Sequence, residues 1–466
     1  MNTDSTPVRP SLRLVATGSR LAVGIAVAGA LVVGTLLGVP AALPGVQATA
    51  ARTVVTPDAG DTLLVCSGPF LALGRDASDA LQMQAAGTAR FTVGSDGEQP
   101  ERTELAVPDV VGAAATPVYT VTADDGPVPL IDAAQSLRLR DDDLTGYAAS
   151  ACRPPSMQAW LVGGAASVGT SDVLTLANPG EVPSTVTVTT FGDTDATGRT
   201  LVVPAFTQIA VPLASAAIGA SAPVVHVSAD GAPVRAALQS SLVRTLDPGG
   251  IDLQDDAGHP DTDLVVAGVQ VVGPRSGQAV ASVRLMAPDA DTAARVSIRL
   301  AGSGVDAAQP QEVSLAAGVP VEIDFPELPV GVYSVHVTAG EPVVAAVWQT
   351  SGFHPGSDFA WMTPAPEIDG RVMTTVPAGV ATRLHIVGDD VVDRTVTITD
   401  LRSQVVREIS VPAGSSTLVS LRNAASYAVE SDAGIHAAVV MGGVDALAGW
   451  PLWPASGQPE PLVVYP

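Results

Sequence analysis

The sequence predicts an all-β protein built from tandem Ig-like β-sandwich domains that follow one N-terminal transmembrane helix. Hydrophobic residues make up 47% of the chain but aromatic residues only 4%, which suits several small cores of Ala, Val and Leu. The 45 Gly and 38 Pro are spread along the chain, as turns between short strands are. Val, Leu and Ile alternate with Thr, Ser and Arg at period two, which is typical of strands with one buried face.

A repeated phrase indicates how the domains are organised. VVHVSADGAPVRAALQSSL at 224–242 returns as SVHVTAGEPVVAAVWQTSG at 334–352, with weaker versions at 118–137 and 427–443. Each phrase is expected to form a hairpin, with an alternating strand, a short acidic-Gly turn and a second strand. The spacing of roughly 90–110 residues is the size of one β-sandwich domain. The pattern therefore predicts a duplicated domain.

The domain boundaries follow from these repeats. The expected segments are a cytoplasmic N-terminus at 1–20, a transmembrane helix or signal anchor at 21–43, a stalk at 44–60, a diverged sandwich with a disulfide at 61–157, and further sandwiches at 158–258, 259–365 and 366–466. The joints contain Pro and are only a few residues long. The four sandwiches are therefore expected to form a semi-rigid rod.

The N-terminus predicts where the protein is located. Residues 21–43, LAVGIAVAGALVVGTLLGVPAAL, contain no charge and are long enough to cross a bilayer. Arg9, Arg13 and Arg20 precede this run, so the N-terminus is expected to stay in the cytoplasm and the rest to lie outside the cell membrane. The small-x-small end of VQATA offers the alternative of cleavage after Ala50, which would give a secreted protein.

The two cysteines agree with an extracytoplasmic location. Cys66 and Cys152 both follow the membrane segment, and two such cysteines in an oxidising compartment are expected to form a disulfide. The closed loop would stabilise its domain by about 4–5 kcal/mol through the entropy of the unfolded chain. A reactive thiol is the alternative. A metal site using both cysteines would need His partners, and the first 220 residues contain none.

Charge and missing motifs exclude several functions. The formal net charge is −24, and all 23 cationic residues are arginine. A strongly acidic protein repels nucleic acid and anionic lipid, so nucleic acid is not an expected partner. Without lysine there is no Schiff-base chemistry and no phosphate-binding loop lysine. The G-x-S-x-G and H-E-x-x-H motifs are also missing from the sequence. We therefore expect a protein that is not an enzyme.

One block resembles a known family. The block at 146–192 runs GYAASACRPPSMQAWLVGGAASVGTSDVLTLANPGEVPSTVTVTTFG, with a Cys, a Pro pair, a Trp before a Gly-rich stretch, and an L-x-N-P strand turn. In these features the chain resembles the DUF5719 family of actinobacterial membrane-anchored or secreted proteins. The resemblance extends from about residue 60 to the end of the chain. It implies an uncharacterised cell-envelope protein, often encoded near a glycosyltransferase, and so a connection with cell-wall or polysaccharide biology.

Three tryptophans are candidate glycan-binding residues. Trp361, Trp450 and Trp453 lie at or near predicted domain boundaries, and exposed aromatic rings are how many sandwich modules hold sugars. The alternative is that each fills a seam between domains, where the large apolar ring and its N–H both find partners. Exposed rings favour glycan binding, whereas buried rings favour a structural role.

An acidic segment at a domain joint supplies candidate calcium ligands. The segment DLQDDAGHPDTD at 252–263 carries five carboxylates, from Asp252, Asp255, Asp256, Asp261 and Asp263. Hard oxygen ligands of this kind bind Ca²⁺, which would stiffen the joint. The segment lacks the D-x-[DN]-x-[DN]-G pattern of calcium loops, and an acidic protein carries such segments without metal. Calcium therefore stands beside the alternative of no cofactor.

Two classes of function remain. The first is a non-catalytic, membrane-anchored scaffolding rod of the cell envelope, and the second is an array of modules that bind cell-wall polysaccharide. An accessory role for an envelope glycosyltransferase is a further alternative. The expected partners are cell-wall polysaccharide or an envelope protein, together with the membrane through the N-terminal helix.

Overall fold

Strands account for nearly all of the regular structure, and the fold is all-β as predicted. The computed structural model describes residues 22–33, 53–55, 60–73, 82–123, 129–193, 196–217, 220, 222–272, 280–325, 328–388, 390–443, 445–455 and 462–464. Contacts divide the chain into one unit of residues 59–458 and another of residues 1–58 with 459–466.

The described part of the smaller unit contains one helical segment and two strands. Residues 22–33 are helical, and β1 (Thr53–Val55) pairs antiparallel with the last strand, β33 (Leu462–Val464). The predicted membrane segment at 21–43 lies partly outside the described residues. Where the chain is described, no helix is both long enough and apolar enough to cross a membrane.

The strands of the larger unit fall into four groups, which we call the first to fourth repeats. The first contains β2 (Thr62–Val65), β3 (Phe70–Leu73), β4 (Met83–Gly87), β5 (Arg90–Ser95), β6 (Glu101–Leu105), β7 (Val110–Val111), β8 (Thr116–Val121), β9 (Ile131–Arg140) and β10 (Thr145–Ala151). The second contains β11 (Gln158–Val162), β12 (Val173–Asn178), β13 (Ser184–Phe191), β14 (Thr197–Val203), β15 (Thr207–Pro212), a short helix (Leu213–Ala216), β16 (Val224–Asp230), β17 (Arg235–Arg244) and β18 (Asp247–Gln254). The third contains β19 (Asp261–Val271), β20 (Ala281–Met286), β21 (Thr292–Leu300), β22 (Gln311–Leu315), β23 (Val321–Asp324), β24 (Gly331–Thr350) and β25 (Phe359–Met362). The fourth contains β26 (Ile368–Val376), β27 (Thr382–Val387), β28 (Arg394–Asp400), β29 (Val406–Val411), β30 (Ser416–Leu421), β31 (Ala425–Gly443) and β32 (Ala446–Pro451).

The second repeat is a sandwich of two four-stranded antiparallel sheets. Their strand orders are β11-β16-β13-β14 and β15-β12-β17-β18. Burial alternates along β13, where Val186 and Val188 point inward. Leu161 of one sheet meets Leu174 and Leu238 of the other in a shared core. The period-two pattern thus buries one face of each sheet, as expected for facing sheets.

The repeated phrase is a corner between sheets, and the predicted hairpin is wrong. β24 is a single 20-residue strand. Its first half pairs with β19 and β21, and its second half pairs with β20 and β25. β31 behaves in the same way, and β16 and β17 lie in opposite sheets. A strand, an acidic-Gly turn and a second strand give the same local pattern whether the second strand pairs with the first or crosses to the facing sheet.

The first repeat is the most diverged, and it contains the predicted disulfide. It has three three-stranded sheets, in the orders β2-β8-β6, β10-β9-β5 and β3-β4-β7. Cys66 and Cys152 form a disulfide with Cα atoms 4.1 Å apart. Both are fully buried in a core with Leu64 and Tyr119. The bond therefore joins the end of the repeat to its beginning, which confirms the pairing expected from the sequence.

The four repeats close on one another, so the predicted rod is wrong for residues 59–458. The last strands of the repeats pack in a ring, with β10 against β18 and β32, and β25 against β18 and β32. The first and fourth repeats also make an ion pair, Arg138 to Asp445 at 3.0 Å. The rod prediction treated the outer strand faces as solvated. In β10, β25 and β32 nearly every residue is buried, so the outer faces of these strands are covered by other repeats.

Candidate functional site

A cavity of about 300 Å³ opens at the seam between the second and third repeats. One wall is a face of the third repeat's sheet, and the other is formed by loops and strand ends of the second repeat. We call it the seam cavity. It combines aromatic rings with carboxyl, guanidinium and hydroxyl groups, which is the usual composition of a small-molecule pocket.

Strand register builds the third-repeat wall. Ser282 of β20 lies directly opposite Asp324 of β23 and Trp348 of β24. Trp348 in turn lies opposite Trp361 of β25. Residues that are directly opposite in antiparallel strands point to the same face, with Cβ atoms about 5 Å apart. A carboxylate, a hydroxyl and two indole rings therefore stand in one row across the sheet.

Arg284 lies two residues along β20 on the same face. Its guanidinium is 3% exposed at the side chain and donates from Nε and Nη2 to Glu322 Oε1 at 2.9 and 2.7 Å. Nη1 donates to the carbonyls of Gly164 and Pro223, both at 2.8 Å. The guanidinium also lies 4.7 Å from the ring centroid of Trp361. Arg284 thus ties the third repeat to the second.

Asp172 organises the second-repeat wall. Its Oδ2 accepts a hydrogen bond from Ala165 N at 2.6 Å, and its Oδ1 accepts one from Ser241 N at 3.3 Å. Burial raises the pKa of Asp172 to about 7, although both backbone donors act to lower it. The carboxyl therefore holds the 164–172 loop against β17.

Two buried hydroxyl groups, those of Ser240 and Ser282, line the seam cavity. Ser240 is 2% exposed and Ser282 is 7% exposed. Among the described residues, neither Oγ atom meets hydrogen-bond geometry with another group, although Ser240 lies close enough to Asp172 to lower the pKa of that carboxyl. Buried polar groups are normally hydrogen-bonded. The Ser282 hydroxyl is thus free to bind a polar ligand, whereas that of Ser240 lies beside the Asp172 carboxyl and can donate to it.

The aromatic groups of the cavity differ in exposure. Phe359 and Trp361 are buried in an apolar cluster that fills the seam together with Trp160. Trp348 is half-buried and packs against the edge of that cluster with part of its surface exposed. Its ring is therefore the large apolar surface of the cavity that a ligand can reach.

The three tryptophans named from the sequence do not form a common surface. Trp361 is 6% exposed and Trp450 is 3% exposed, so neither offers a face to an external glycan. Trp453 is half-buried and lies away from the seam cavity, beneath the Arg153 guanidinium at 5.4 Å from the ring centroid. Burial of Trp361 and Trp450 is the arrangement expected of residues that fill seams.

The five aspartates named as calcium ligands do not converge. Asp255 pairs with the buried guanidinium of Arg235. Asp252 accepts a hydrogen bond from Trp361 N at 2.8 Å, and Asp256 accepts one from Trp160 N at 2.7 Å. Burial raises the pKa of Asp256 to about 6 and that of Asp252 well above its usual value.

The remaining two aspartates, Asp261 and Asp263, are exposed on β19. Asp261 caps the backbone N–H of Thr262 at 2.6 Å. No group of three or more His, Cys, Asp or Glu side chains suited to a metal ion occurs within the described residues. Asp252 thus holds a contact between the second and third repeats, Asp255 and Asp256 hold contacts of the second repeat, and calcium at 252–263 stays a prediction.

One buried aspartate lies where all four repeats meet. Asp358 Oδ2 accepts hydrogen bonds from Tyr147 N and Leu447 N, both at 3.0 Å, and Oδ1 accepts one from Ile251 N at 3.1 Å. These donors belong to β10, β32 and β18. Burial raises the pKa of Asp358 to about 8, against the opposing effect of the N–H donors. This carboxyl is a structural tie and lies outside the lining of the seam cavity.

Comparison with known proteins gives the family. Residues 106–422 match the family of unknown function DUF5719. The chain belongs to DUF5719. No curated protein matches it.

Solved structures add nothing to this assignment. The DUF5719 chain is 9% identical to a crystal structure of chicken CNTN1 FN1-FN3 domains, with a TM-score of 0.12 and coverage of 67% of this chain and 100% of that one. It is 11% identical to a structure of infectious bursal disease virus, Gx strain, with a TM-score of 0.10 and coverage of 84% of each chain. Scores of this size carry no argument about fold or function.

The sequence contained weak signals for the site of this DUF5719 protein. Arg284 is the one charge in the apolar strand ASVRLM, and Ser240 follows the Gln in the repeated phrase. Arg284 falls on the strand face that the alternation predicts to be solvated, whereas Ser240 shares the face of Leu238 in β17. Arg284 is buried because a neighbouring repeat covers that face, and local alternation does not predict such a contact.

Proposed function

We propose that this DUF5719 protein is a non-catalytic, membrane-anchored, extracytoplasmic protein of the cell envelope that binds a saccharide in the seam cavity. The main support for the proposal is the row of directly opposite residues on the third-repeat sheet that forms one wall of the cavity. It places the unpaired hydroxyl of Ser282 between the Asp324 carboxylate and the half-buried ring of Trp348.

Saccharide chemistry matches this row. A sugar ring has an apolar face of C–H groups, which packs on an indole, and a rim of hydroxyls that both donate and accept hydrogen bonds. Asp324 is an acceptor, while Ser240 and Ser282 both donate and accept. Asp172 and Glu322 already hold backbone and guanidinium groups, so we assign them to structure and expect no cleavage of the bound sugar.

Sequence features support the location. The uncharged run at 21–43 follows three arginines, which favours an N-terminus inside and Ig-like repeats outside the membrane. The Cys66–Cys152 disulfide suits an oxidising compartment. Cleavage after Ala50 is the alternative, and would give a secreted form of the same binding protein.

A scaffolding role is the second candidate, and one observation favours it. Asp358 accepts hydrogen bonds from three other repeats, so the larger unit is suited to present fixed surfaces to an envelope protein. This scaffold is a closed body of four repeats and not a rod.

Co-sedimentation of the purified full-length protein with isolated, protein-free cell walls tests the proposal. We expect saturable binding that Trp348→Ala abolishes. Trp453→Ala is the matched control, since it removes a half-buried tryptophan outside the seam cavity and should leave binding unchanged. Absence of saturable binding, or equal loss in both variants, contradicts saccharide binding at this site and leaves the scaffold.

A further inference from the structure

We infer that the seam cavity selects a sugar unit carrying a free amine over neutral and acidic sugars. This inference rests on the proposed saccharide binding and names the chemical class of its ligand. It is carried by the charges that line the cavity and by how many of them are already paired.

The cavity has an excess of carboxyl groups. Of the residues that the structure describes, three carboxyl groups line it, those of Asp172, Glu322 and Asp324, against one guanidinium, that of Arg284. Glu322 and Arg284 form an ion pair at 2.7 Å, and Asp172 is hydrogen-bonded to two backbone N–H groups. Asp324 is exposed, and no described cation lies within ion-pair distance of its carboxylate. The unpaired charge of the site is therefore negative.

The cavity has few free cationic N–H donors that could bind an anion. Among the described residues, Arg284 is the one cationic side chain that lines the cavity, and four of its five guanidinium N–H groups are used, on Glu322 Oε1 twice and on the carbonyls of Gly164 and Pro223. An acidic sugar would have to break this arrangement at a buried position. It would also meet the Asp324 carboxylate, so a uronic acid is disfavoured.

The row on the sheet gives an ammonium group two suitable neighbours. Asp324 and Trp348 lie on either side of Ser282, so a cation held near the Ser282 hydroxyl has a carboxylate on one side and an indole on the other. A charge-assisted hydrogen bond and a cation–π contact both strengthen with positive charge. An N-acetyl group carries no charge and gains neither.

Calorimetric titration of the full-length protein with three trisaccharides tests the inference. The probes are the trimers of glucosamine, of N-acetylglucosamine and of galacturonic acid, at physiological salt, which screens attraction by the overall negative charge. We expect the glucosamine trimer to bind at least about tenfold more tightly than the acetylated trimer, as for one hydrogen bond to a charged group. We expect no measurable binding of the acidic trimer.

Two variants locate the selectivity. Asp324→Asn should reduce the preference for the amine to about threefold or less, since it keeps the shape and removes the charge. Asp263→Asn, which removes an exposed carboxylate outside the cavity, should leave the preference intact. Equal affinity for amine and acetylated trimers would overturn this inference but leave saccharide binding in place. Binding of none of the trimers, with no binding to cell walls, would overturn both.

Discussion

The Asp358 carboxyl group accepts a hydrogen bond from the backbone N–H of Tyr147 at 3.0 Å and so joins the third repeat to the first across 211 positions of the chain. Leu447 and Ile251 donate to the same carboxyl from the fourth and second repeats. A single side chain thus satisfies backbone donors from three other repeats. The seam cavity lies between two of the repeats that this contact holds in place.

Removing the Asp358 carboxyl should be strongly destabilising. Asp358→Ala leaves three buried N–H groups without an acceptor, and each costs about 1–3 kcal/mol. We expect the free energy of unfolding to fall by about 3 kcal/mol or more, measured by urea denaturation. Asp263→Ala, at an exposed position, is the control and should change it by less than about 0.5 kcal/mol. A similar small change in both variants would show that the contact does not hold the repeats together.

Stability should fall as the pH rises from about 4 to about 8. Burial raises the pKa of Asp358 to about 8 and that of Asp172 to about 7, whereas an aspartate in the unfolded chain has a pKa of about 4. Within this window the folded state binds more protons than the unfolded state, so the free energy of unfolding decreases with pH. The stabilisation is complete below the unfolded pKa and is lost once the folded pKa is passed.

The free energy of unfolding, measured by urea denaturation across this pH range, tests that prediction. Asp358→Asn cannot ionise, so its curve should be flatter than that of the wild type by up to about 1.4 kcal/mol per pH unit. Asp172→Asn should flatten the curve in the same sense, up to about pH 7. Curves that run parallel to the wild type for both variants would mean that these carboxyls are ionised throughout.

Gly250 should not tolerate a side chain. It has a φ of +120°, and an added Cβ would lie 2.6 Å from Asp358 Oδ1 and 2.8 Å from Phe359 N. We expect Gly250→Ala to destabilise the protein by more than about 3 kcal/mol, since both strain and overlap contribute. Gly302→Ala, with a φ of +78° and no atom within 4 Å, isolates the strain and should cost about 1 kcal/mol. Thermal denaturation of both variants gives the comparison, and equal losses would contradict the tight packing at Asp358.

Arg284 should contribute more to stability than its ion-pair partner. Arg284→Met leaves the carbonyls of Gly164 and Pro223 unpaired inside the seam, which we expect to cost about 2–3 kcal/mol. Glu322→Gln keeps an acceptor at a side chain that is 42% exposed, and an exposed ion pair contributes less than about 1 kcal/mol. Urea denaturation of the two single variants tests this order. A larger loss for Glu322→Gln would mean that the ion pair holds the seam and the carbonyl contacts do not.

Local sequence predicted the strands well and their arrangement only in part. The alternation in STVTVTTF of β13 appears directly as alternating burial. The phrase around β24 was expected to fold back as a hairpin, and it crosses to the facing sheet. Both arrangements need an extended strand, a turn and a second strand, so the pattern cannot distinguish them.

The local alternation of apolar and polar residues did not predict the contacts between repeats. Ser282 and Arg284 occupy the strand face expected to be solvated, and the second repeat covers them. Asp255 was expected to bind calcium, and it forms ion pairs with Arg235 of β17 and with Arg153, which follows β10. The last strands of the repeats do not alternate, and this could have predicted contacts between repeats. In YAAS at 147–150, for example, residues on both faces of the strand are buried.

Titration of the full-length protein with a wall-derived oligosaccharide, followed by tryptophan fluorescence, tests the central claim most directly. Trp348→Phe and Trp453→Phe keep an aromatic ring at each half-buried position while removing its indole signal. We expect a saturable change in wild type and Trp453→Phe that is largely lost in Trp348→Phe. A signal that disappears in Trp453→Phe and persists in Trp348→Phe, or no saturable signal in the wild type, would contradict saccharide binding in the seam cavity.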